Sequence, residues 1–209
     1  MGTSEGQDFI YDAAFWNNPA NLNFQQQSLP SYNDFLDGFP KNGSGGFLNG
    51  ADNIFSLVGG DVLQVRLNYP GNQTKNVCAL KVSIALNNSE VVIPYIPNQT
   101  VEGGGDYAGK YFFLNVRALN NWMRATFGTS NPNDGYANNP SHISLTGQQG
   151  GTNGQNYPSL TAGLKGIYML VMPTGSNLSG HADVIYNNYC PGNCNFQLPV
   201  EHIDIWVLD

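Results

Sequence analysis

The sequence Asn-Val-Cys-Ala-Leu-Lys-Val-Ser-Ile-Ala-Leu-Asn at residues 76–87 is the most informative stretch of the chain, because its apolar residues recur with nearly the period of an α-helix. It predicts a short amphipathic helix with Cys78 in its first turn and Asn76 as its N-cap. The positive end of the helix dipole and the free N–H groups of the first turn favour the thiolate form of such a cysteine. A lone cysteine on a helix is also typical of a small buried side chain, so a catalytic interpretation requires a base elsewhere.

Composition limits the function of this 209-residue chain. Only 11% of the residues are charged, and the formal net charge is −7 with eight Lys and Arg residues that form no basic cluster. Nucleic acids and anionic membranes bind through concentrated basic side chains, so neither is an expected partner. No apolar run is long enough to span a membrane, and membrane insertion is therefore not expected.

The N-terminal region gives two expectations. Residues 1–4, Met-Gly-Thr-Ser, lack the basic and apolar regions of a signal peptide. We nevertheless expect a secreted protein that acts outside the cytoplasm, with a signal peptide that is absent or trimmed. Residues 1–29 are rich in Asn and Gln with scattered aromatic rings, which predicts an extended arm packed by those rings, Trp16 among them.

Several further segments precede residue 162. They are a helix at residues 32–39 ended by Pro40, an ambiguous helix or strand at 55–67, a short strand at 91–93, a helix at 110–127 stopped by Gly128, and an aperiodic loop at 129–161. The helix at 110–127 has the clearest apolar stripe of all these segments.

Three strand-like runs close the sequence, at residues 166–172, 181–186 and 202–208. Their short connections favour antiparallel pairing. Helices followed by an antiparallel sheet define an α+β fold, in which the N-terminal helices, the Cys78 helix included, pack on the C-terminal sheet. Trp206 in the last strand is expected to be a packing residue.

The chain contains three histidines that could serve as the base. His142 lies in the aperiodic loop, His202 begins the last strand, and His181 opens the middle strand at the end of the predicted sheet. A cysteine at a helix N-terminus opposite a histidine on the facing sheet is the arrangement that thiol catalysis needs. We therefore predict Cys78 as the nucleophile and His181 as the general base.

The other two cysteines, Cys190 and Cys194, enclose the turn Pro-Gly-Asn. This spacing favours a disulfide and an oxidising compartment, and it leaves Cys78 unpaired. A zinc site is the alternative interpretation, with both cysteines, His181 and His202 as ligands.

In order and spacing, these segments resemble the type VI secretion amidase effectors of family four. The resemblance covers residues 30–209 and rests on the 76–87 sequence, the 110–128 helix, Gly-Leu-Lys-Gly-Ile at 163–167, and Ser-Gly-His at 179–181 followed by Cys-x3-Cys. These effectors are NlpC-type, papain-like cysteine amidases that hydrolyse the γ-D-glutamyl–meso-diaminopimelate bond of peptidoglycan stem peptides. The resemblance implies a papain-like amidase domain at 30–209, no cofactor or metal, action in the periplasm or at the cell wall, and a cognate immunity protein as partner.

The resemblance also implies a third catalytic residue. The family places an aspartate two residues before the second cysteine of the Cys-x3-Cys loop, and that position is Gly192 here. Asn193, the next residue, is the first choice, because an amide oxygen can accept a hydrogen bond from the imidazole as in Cys-His-Asn sites. Asp183, two residues along the strand from His181 and on the same face, is the alternative.

Two other functions are compatible with the same residues. One is an acyltransferase or a transglutaminase-like enzyme, in which an amine replaces water as the acceptor and Cys78 and His181 keep their roles. The other is a wall- or glycan-binding module without turnover, suggested by the many Asn, Gly and Tyr residues.

Overall fold

A computed structural model describes residues 10–209, which form an α+β fold with helices packed on an antiparallel sheet. The α-helices are α1 Ala13–Trp16, α2 Tyr32–Gly38, α3 Ala51–Val58, α4 Gly60–Asn68, α5 Cys78–Asn88, α6 Val116–Phe127, α7 Gly147–Gly150 and α8 Tyr157–Leu160. The strands are β1 Thr100–Glu102, β2 Tyr111–Phe113, β3 His142–Thr146, β4 Lys165–Val171, β5 Gly180–Tyr186 and β6 His202–Val207. Within the described part of the chain, no helix has the length and apolar character needed to cross a membrane.

The main sheet has the strand order β3-β6-β4-β5, and all its neighbouring pairs are antiparallel, as the short connections predicted. Alternate residues of β4 enter two different cores. Ile167 and Met169 pack with α5 and α6, whereas Tyr168 and Leu170 pack with the Cys190–Cys194 loop. Because both faces are covered, β4 and β5 are buried along almost their whole length.

Helix α5 lies at the centre of the fold. Cys78 lies in its first turn as predicted, but the helix is buried on nearly every face instead of being amphipathic, and only Lys81 and the last residue are not buried. A polar side chain inside such a helix needs a partner. Ser83 has one, because its Oγ accepts a hydrogen bond of 3.1 Å from the N–H of Phe113 in β2. Neighbouring elements therefore surround α5 and fix its position.

Helix α2 confirms the helix predicted at residues 32–39 and packs closely against α5. A Cβ atom added to Gly38 would lie 2.6 Å from the carbonyl oxygen of Ala85. The two backbones can approach this closely only because a glycine lies between them.

Helix α6 is shorter than the helix predicted at residues 110–127. It begins at Val116, because residues 111–113 pair with β1 and because Asn115 caps the helix. The Oδ1 of Asn115 accepts a hydrogen bond of 3.0 Å from the N–H of Ala118. The predicted stop is confirmed, since Gly128 is the C-cap.

The segment at 129–161 is not the uniform loop that its composition predicted. It contains β3, α7 and α8, and β3 pairs with β6 at the edge of the sheet. In β3 only His142 and Leu145 are buried, so the strand lacks the apolar alternation that would mark it in the sequence.

The strand predicted at residues 91–93 is wrong, and the structure resolves the choice between helix and strand that was open at residues 55–67. Residues 91–93 form no strand, although Val91 and Ile93 are buried in the core. The ambiguous residues 55–67 belong to the two helices α3 and α4, which Gly59 separates with a φ of 67°.

Both tryptophans that were expected to pack are buried. Trp16 in α1 also donates a hydrogen bond of 2.6 Å from Nε1 to Oε1 of Gln99, and Trp206 is fully enclosed. Between residues 10 and 29 the chain forms α1 and the 3-10 helix Pro19–Asn21. Residues 1–9 of the predicted arm lie outside the described residues, and the division of the chain at residue 29 stays a prediction.

Candidate active site

Cys78 is the first residue of α5 and is only 6% exposed. The N-cap is Val77, not the predicted Asn76. Asn76 lies one residue further from the helix, and its Oδ1 accepts a hydrogen bond of 3.3 Å from the N–H of Cys78. The first turn of a helix has N–H groups without intrahelical partners and carries the positive end of the dipole. The thiol therefore lies in a field that favours negative charge.

His181 is the second residue of β5, and its ring interacts with the side chains of Cys78 and Asp183. The Nε2 atom lies 3.7 Å from Oδ2 of Asp183, which is a close ion-pair distance and too long for a hydrogen bond. Burial of the ring opposes its charge, but Asp183 and Cys78 outweigh burial and raise the pKa of His181 from 6.5 to about 9. The ring consequently keeps its second proton at neutral pH.

Asp183 is held in place by the backbone. Its Oδ1 accepts a hydrogen bond of 2.9 Å from the N–H of Val184, and its Oδ2 accepts one of 2.6 Å from the N–H of Gly192. A Cβ atom at residue 192 would lie 2.8 Å from that same Oδ2. The family pattern expects an aspartate at loop position 192. Here that position is a glycine, and its backbone N–H binds the carboxylate of Asp183, which comes from β5.

Asn193, the first choice from the sequence, is not brought to His181. It is exposed, has a φ of 69°, and its Oδ1 accepts a hydrogen bond of 3.2 Å from the N–H of Asn195. The turn that directs the Gly192 N–H inward leaves the next side chain in solvent. Of the two predicted third residues, Asp183 is the one beside the imidazole.

Cys190 and Cys194 are joined by a disulfide with an S–S distance of 2.06 Å, whereas Cys78 is free. Both thiols of the alternative zinc set are thereby consumed. Among residues 10–209, moreover, no group of three or more His, Cys, Asp or Glu side chains is arranged to hold a metal ion. The disulfide closes the loop that carries Gly192 to Asp183.

A cavity of about 480 Å³ opens in front of Cys78, His181 and Asp183. The rings of Phe47 and Tyr189 contribute to its wall. Lys81 lines it as well, one turn after Cys78 on α5, although it was not among the site residues predicted from the sequence. The available signal was the i, i+3 spacing, which places two side chains on the same face of a helix.

The other two histidines belong to a second polar cluster, centred on Asp204. Arg124 donates to the Asp204 carboxylate from Nε at 2.6 Å and from Nη2 at 3.0 Å. His142 Nε2 lies 3.2 Å from Oδ1, and His202 Nε2 lies 3.6 Å from Oδ2. Burial opposes the charge of Asp204, but His142 and Arg124 outweigh it and hold the pKa of Asp204 well below its usual range. His181 is thus the histidine that lies beside Cys78.

Fold and cavity together define an α+β protein with a cysteine, a histidine and an aspartate at the N-terminus of a central helix. The family model of the type VI secretion system (T6SS), amidase effector protein 4 (Tae4), matches residues 74–206, a range that contains all three side chains. The chain belongs to this family, and its resemblance to type VI secretion amidase effectors is confirmed.

Solved Tae4 structures are similar in fold. The structure of the effector–immunity system Tae4/Tai4 from Salmonella typhimurium aligns with a TM-score of 0.62 and 20% identity, over 87% of this chain and 100% of that chain. The structure of the type VI effector Tae4 from Enterobacter cloacae aligns with a TM-score of 0.60 and 20% identity, over 88% of this chain and 100% of that chain. No curated protein matches the sequence.

Proposed function

We propose that this chain is a papain-like, NlpC-type cysteine amidase that hydrolyses the γ-D-glutamyl–meso-diaminopimelate bond of peptidoglycan stem peptides. The observation that carries the proposal is the interaction between Cys78 and His181 at the cavity, with Asp183 on the other side of the ring. A nucleophile, a base and a group that orients the base are the parts that acyl transfer requires. Family membership supplies the reaction class, because the family is described as one of amidase effectors.

In this proposal Asp183, not Asn193, orients the histidine. Its carboxylate faces Nε2 of His181, which leaves Nδ1 as the ring nitrogen for the thiol. Backbone hydrogen bonds from residues 184 and 192 fix the carboxylate, so it can hold the ring in one orientation and favour its charged form.

Acylation begins when the Cys78 thiolate attacks the scissile carbonyl carbon and forms a C–S bond. The carbonyl oxygen becomes an oxyanion, and N–H groups of the first turn of α5 are suitable donors to it. His181 then donates its proton to the leaving nitrogen while the C–N bond breaks, and the amine departs. The glutamyl group remains on Cys78 as a thioester.

Deacylation uses the same groups in the opposite direction. His181, now neutral, removes a proton from water, and the resulting hydroxide attacks the thioester carbon. The C–S bond breaks, a carboxylic acid leaves, and the Cys78 thiolate and His181 imidazolium are restored. An amine in place of this water would give the acyltransferase reaction.

The test is mass spectrometry of muropeptides after digestion of purified sacculi. Wild type should release peptides with new diaminopimelate amino groups, and Cys78→Ala or His181→Ala should abolish the release while thermal unfolding shows that the fold survives. Activity close to wild type in either folded variant would refute the proposed mechanism. Products extended by an amine would instead support the acyltransferase.

We also propose the biological setting that the family description suggests, delivery into the periplasm of a competing bacterium. The Cys190–Cys194 disulfide is of the kind that persists in an oxidising compartment. Solved relatives are described as Tae4–Tai4 effector–immunity complexes. By analogy, a cognate immunity protein is the expected partner of this chain.

A further inference from the structure

Lys81 is the one residue of helix α5, apart from the last, that is not buried. Its side chain reaches the cavity beside Cys78, and its Nζ donates a hydrogen bond of 2.9 Å to Oδ1 of Asn49. Asn49 is neutral, so this bond leaves the positive charge unpaired. None of the ion pairs formed within residues 10–209 includes Lys81.

Apart from Lys75, which is exposed, the other Lys and Arg residues have a charged or aromatic partner within the described residues. The described ion pairs with Lys or Arg are Lys41–Asp37, Arg66–Asp52, Arg117–Glu201 and Arg124–Asp204. Lys110 and Lys165 lie over the rings of Tyr107 and Tyr32. Lys81 differs from these cations because it faces a cavity with a neutral partner.

The surroundings of Lys81 make an anionic ligand favourable. Burial lowers the pKa of Lys81, while Asp183 and Cys78 act in the opposite direction. The Asp183 carboxylate is already engaged by two backbone N–H groups and by His181. A partly buried cation without a paired anion is costly, so an anion that enters the cavity gains by pairing with it.

We propose that Lys81 binds a carboxylate of the substrate close to the scissile amide, and that it thereby selects γ-glutamyl peptides with a free α-carboxylate. This inference rests on the proposed function. In a γ-glutamyl peptide the attacked carbonyl and the α-carboxylate belong to the same residue, a few bonds apart. Side chains one turn apart on a helix have Cβ atoms about 5–6 Å from each other, so one glutamyl group can reach both Cys78 and Lys81.

The experiment compares two synthetic peptides, L-alanyl-γ-D-glutamyl-diaminopimelate and the same peptide with an α-carboxamide on the glutamyl residue. Wild type should hydrolyse the carboxylate peptide with a kcat/KM about ten- to a hundred-fold higher, the range expected for a hydrogen bond to a charged group. Lys81→Met should bring the ratio close to one. Lys81→Arg should retain a preference, because it keeps the positive charge.

Lys75→Met is the matched control, since it removes the same charge from an exposed residue. It should leave the ratio of the two kcat/KM values unchanged. A wild-type ratio near one, or an unchanged ratio in Lys81→Met, would overturn the role of Lys81. A purely structural role would lower both kcat/KM values together and leave their ratio as it is.

Binding without turnover separates this inference from the proposed function. Calorimetry with the Cys78→Ala protein should show tighter binding of the carboxylate peptide, and Lys81→Met in that background should remove the difference. Equal affinities, or binding of neither peptide, would reject the carboxylate site. Selective binding together with a wild type that cleaves neither peptide would instead reject the proposed bond specificity and leave the role of Lys81 supported.

Discussion

At the scale of single residues, the proposed mechanism gives Gly192 and Asp183 together the role of orienting His181, which the family pattern assigns to one aspartate. The loop contributes only a backbone N–H, which binds Oδ2 of Asp183 at 2.6 Å, and the carboxylate comes from β5. A larger residue at 192 would displace that carboxylate, because even a Cβ would approach it to 2.8 Å. The negative charge beside His181 is kept, although a different segment supplies it.

Asp183→Asn is expected to shift the alkaline limb of the pH–rate profile. The carboxylate helps to raise the pKa of His181 to about 9, so its loss lowers that pKa. Because protonated His181 is the proposed acid for the leaving amine, wild-type kcat/KM should fall as pH rises through about 9. In the variant the fall should begin at lower pH, with activity reduced about a hundred-fold or more.

Hydrolysis of a purified muropeptide across a range of pH measures both effects. Asn193→Ala is the control, and its profile should match that of wild type because Asn193 is exposed and bonded to Asn195. A shift in Asn193→Ala with none in Asp183→Asn would restore the first choice made from the sequence.

At the scale of elements, the Asp204 cluster joins the sheet to the helical layer. Asp204 lies on β6, His142 on the edge strand β3, and Arg124 on α6. Ser130 donates its N–H to Nδ1 of His142 at 3.0 Å, which leaves the hydrogen of that ring on Nε2, facing Asp204. The cluster therefore links β3, β6 and α6 through one buried carboxylate.

Asp204→Asn should destabilise the protein by about 3 kcal/mol at neutral pH, because it leaves the buried part of Arg124 without its counter-charge. The pKa of Asp204 is lower in the folded protein than in the unfolded chain. Its stabilising contribution is consequently full above the unfolded pKa and is lost as pH falls below it. The difference between wild type and variant should therefore shrink below about pH 4.

Urea unfolding at neutral and acidic pH measures this difference. Asp52→Asn is the matched control: Asp52 also pairs with an arginine, Arg66, but its side chain is 82% exposed. Exposed pairs contribute little, so this variant should unfold close to wild type. An equal loss in both variants would contradict a special role for the Asp204 cluster.

At the scale of the whole molecule, the candidate site is assembled from segments far apart in the sequence. The start of α5 supplies Cys78 and Lys81, β5 supplies His181 and Asp183, and the disulfide-closed loop supplies Gly192. The sheet and the central helix must be packed together before Cys78 and His181 meet. The site is therefore a property of the complete fold and not of any single motif.

Export to the periplasm tests the proposed setting of that site. Wild type fused to a cleavable signal peptide should lyse the bacterial host, because its proposed substrate, peptidoglycan, lies in that compartment. The same chain retained in the cytoplasm should be harmless. Exported Cys78→Ala is the control and should be harmless at equal expression. Lysis by exported Cys78→Ala would show that the toxicity does not come from the proposed reaction.

The sequence by itself predicted Cys78 in the first turn of α5, the three C-terminal strands, their antiparallel pairing and the α+β class. These features depend on local periodicity, capping residues and short connections, which neighbouring residues determine. It also singled out Cys78 and His181, because a helix N-terminus and a strand end are recognisable positions. The predictions for residues 91–93, 110–115 and 129–161 were wrong. In these segments the local pattern is short, or pairing with a distant strand outweighs the local preference.

Only the tertiary structure decided which residue lies beside His181, and it also placed Lys81 in the cavity. It assigned the other two histidines to Asp204 and buried α5 on nearly all sides. Most of these outcomes depend on contacts between residues far apart in the chain, and such contacts depend on how the layers pack. The helix at 76–87 was thus predictable from the sequence. Its cysteine is part of a candidate active site only because the sheet and the disulfide-closed loop pack around it.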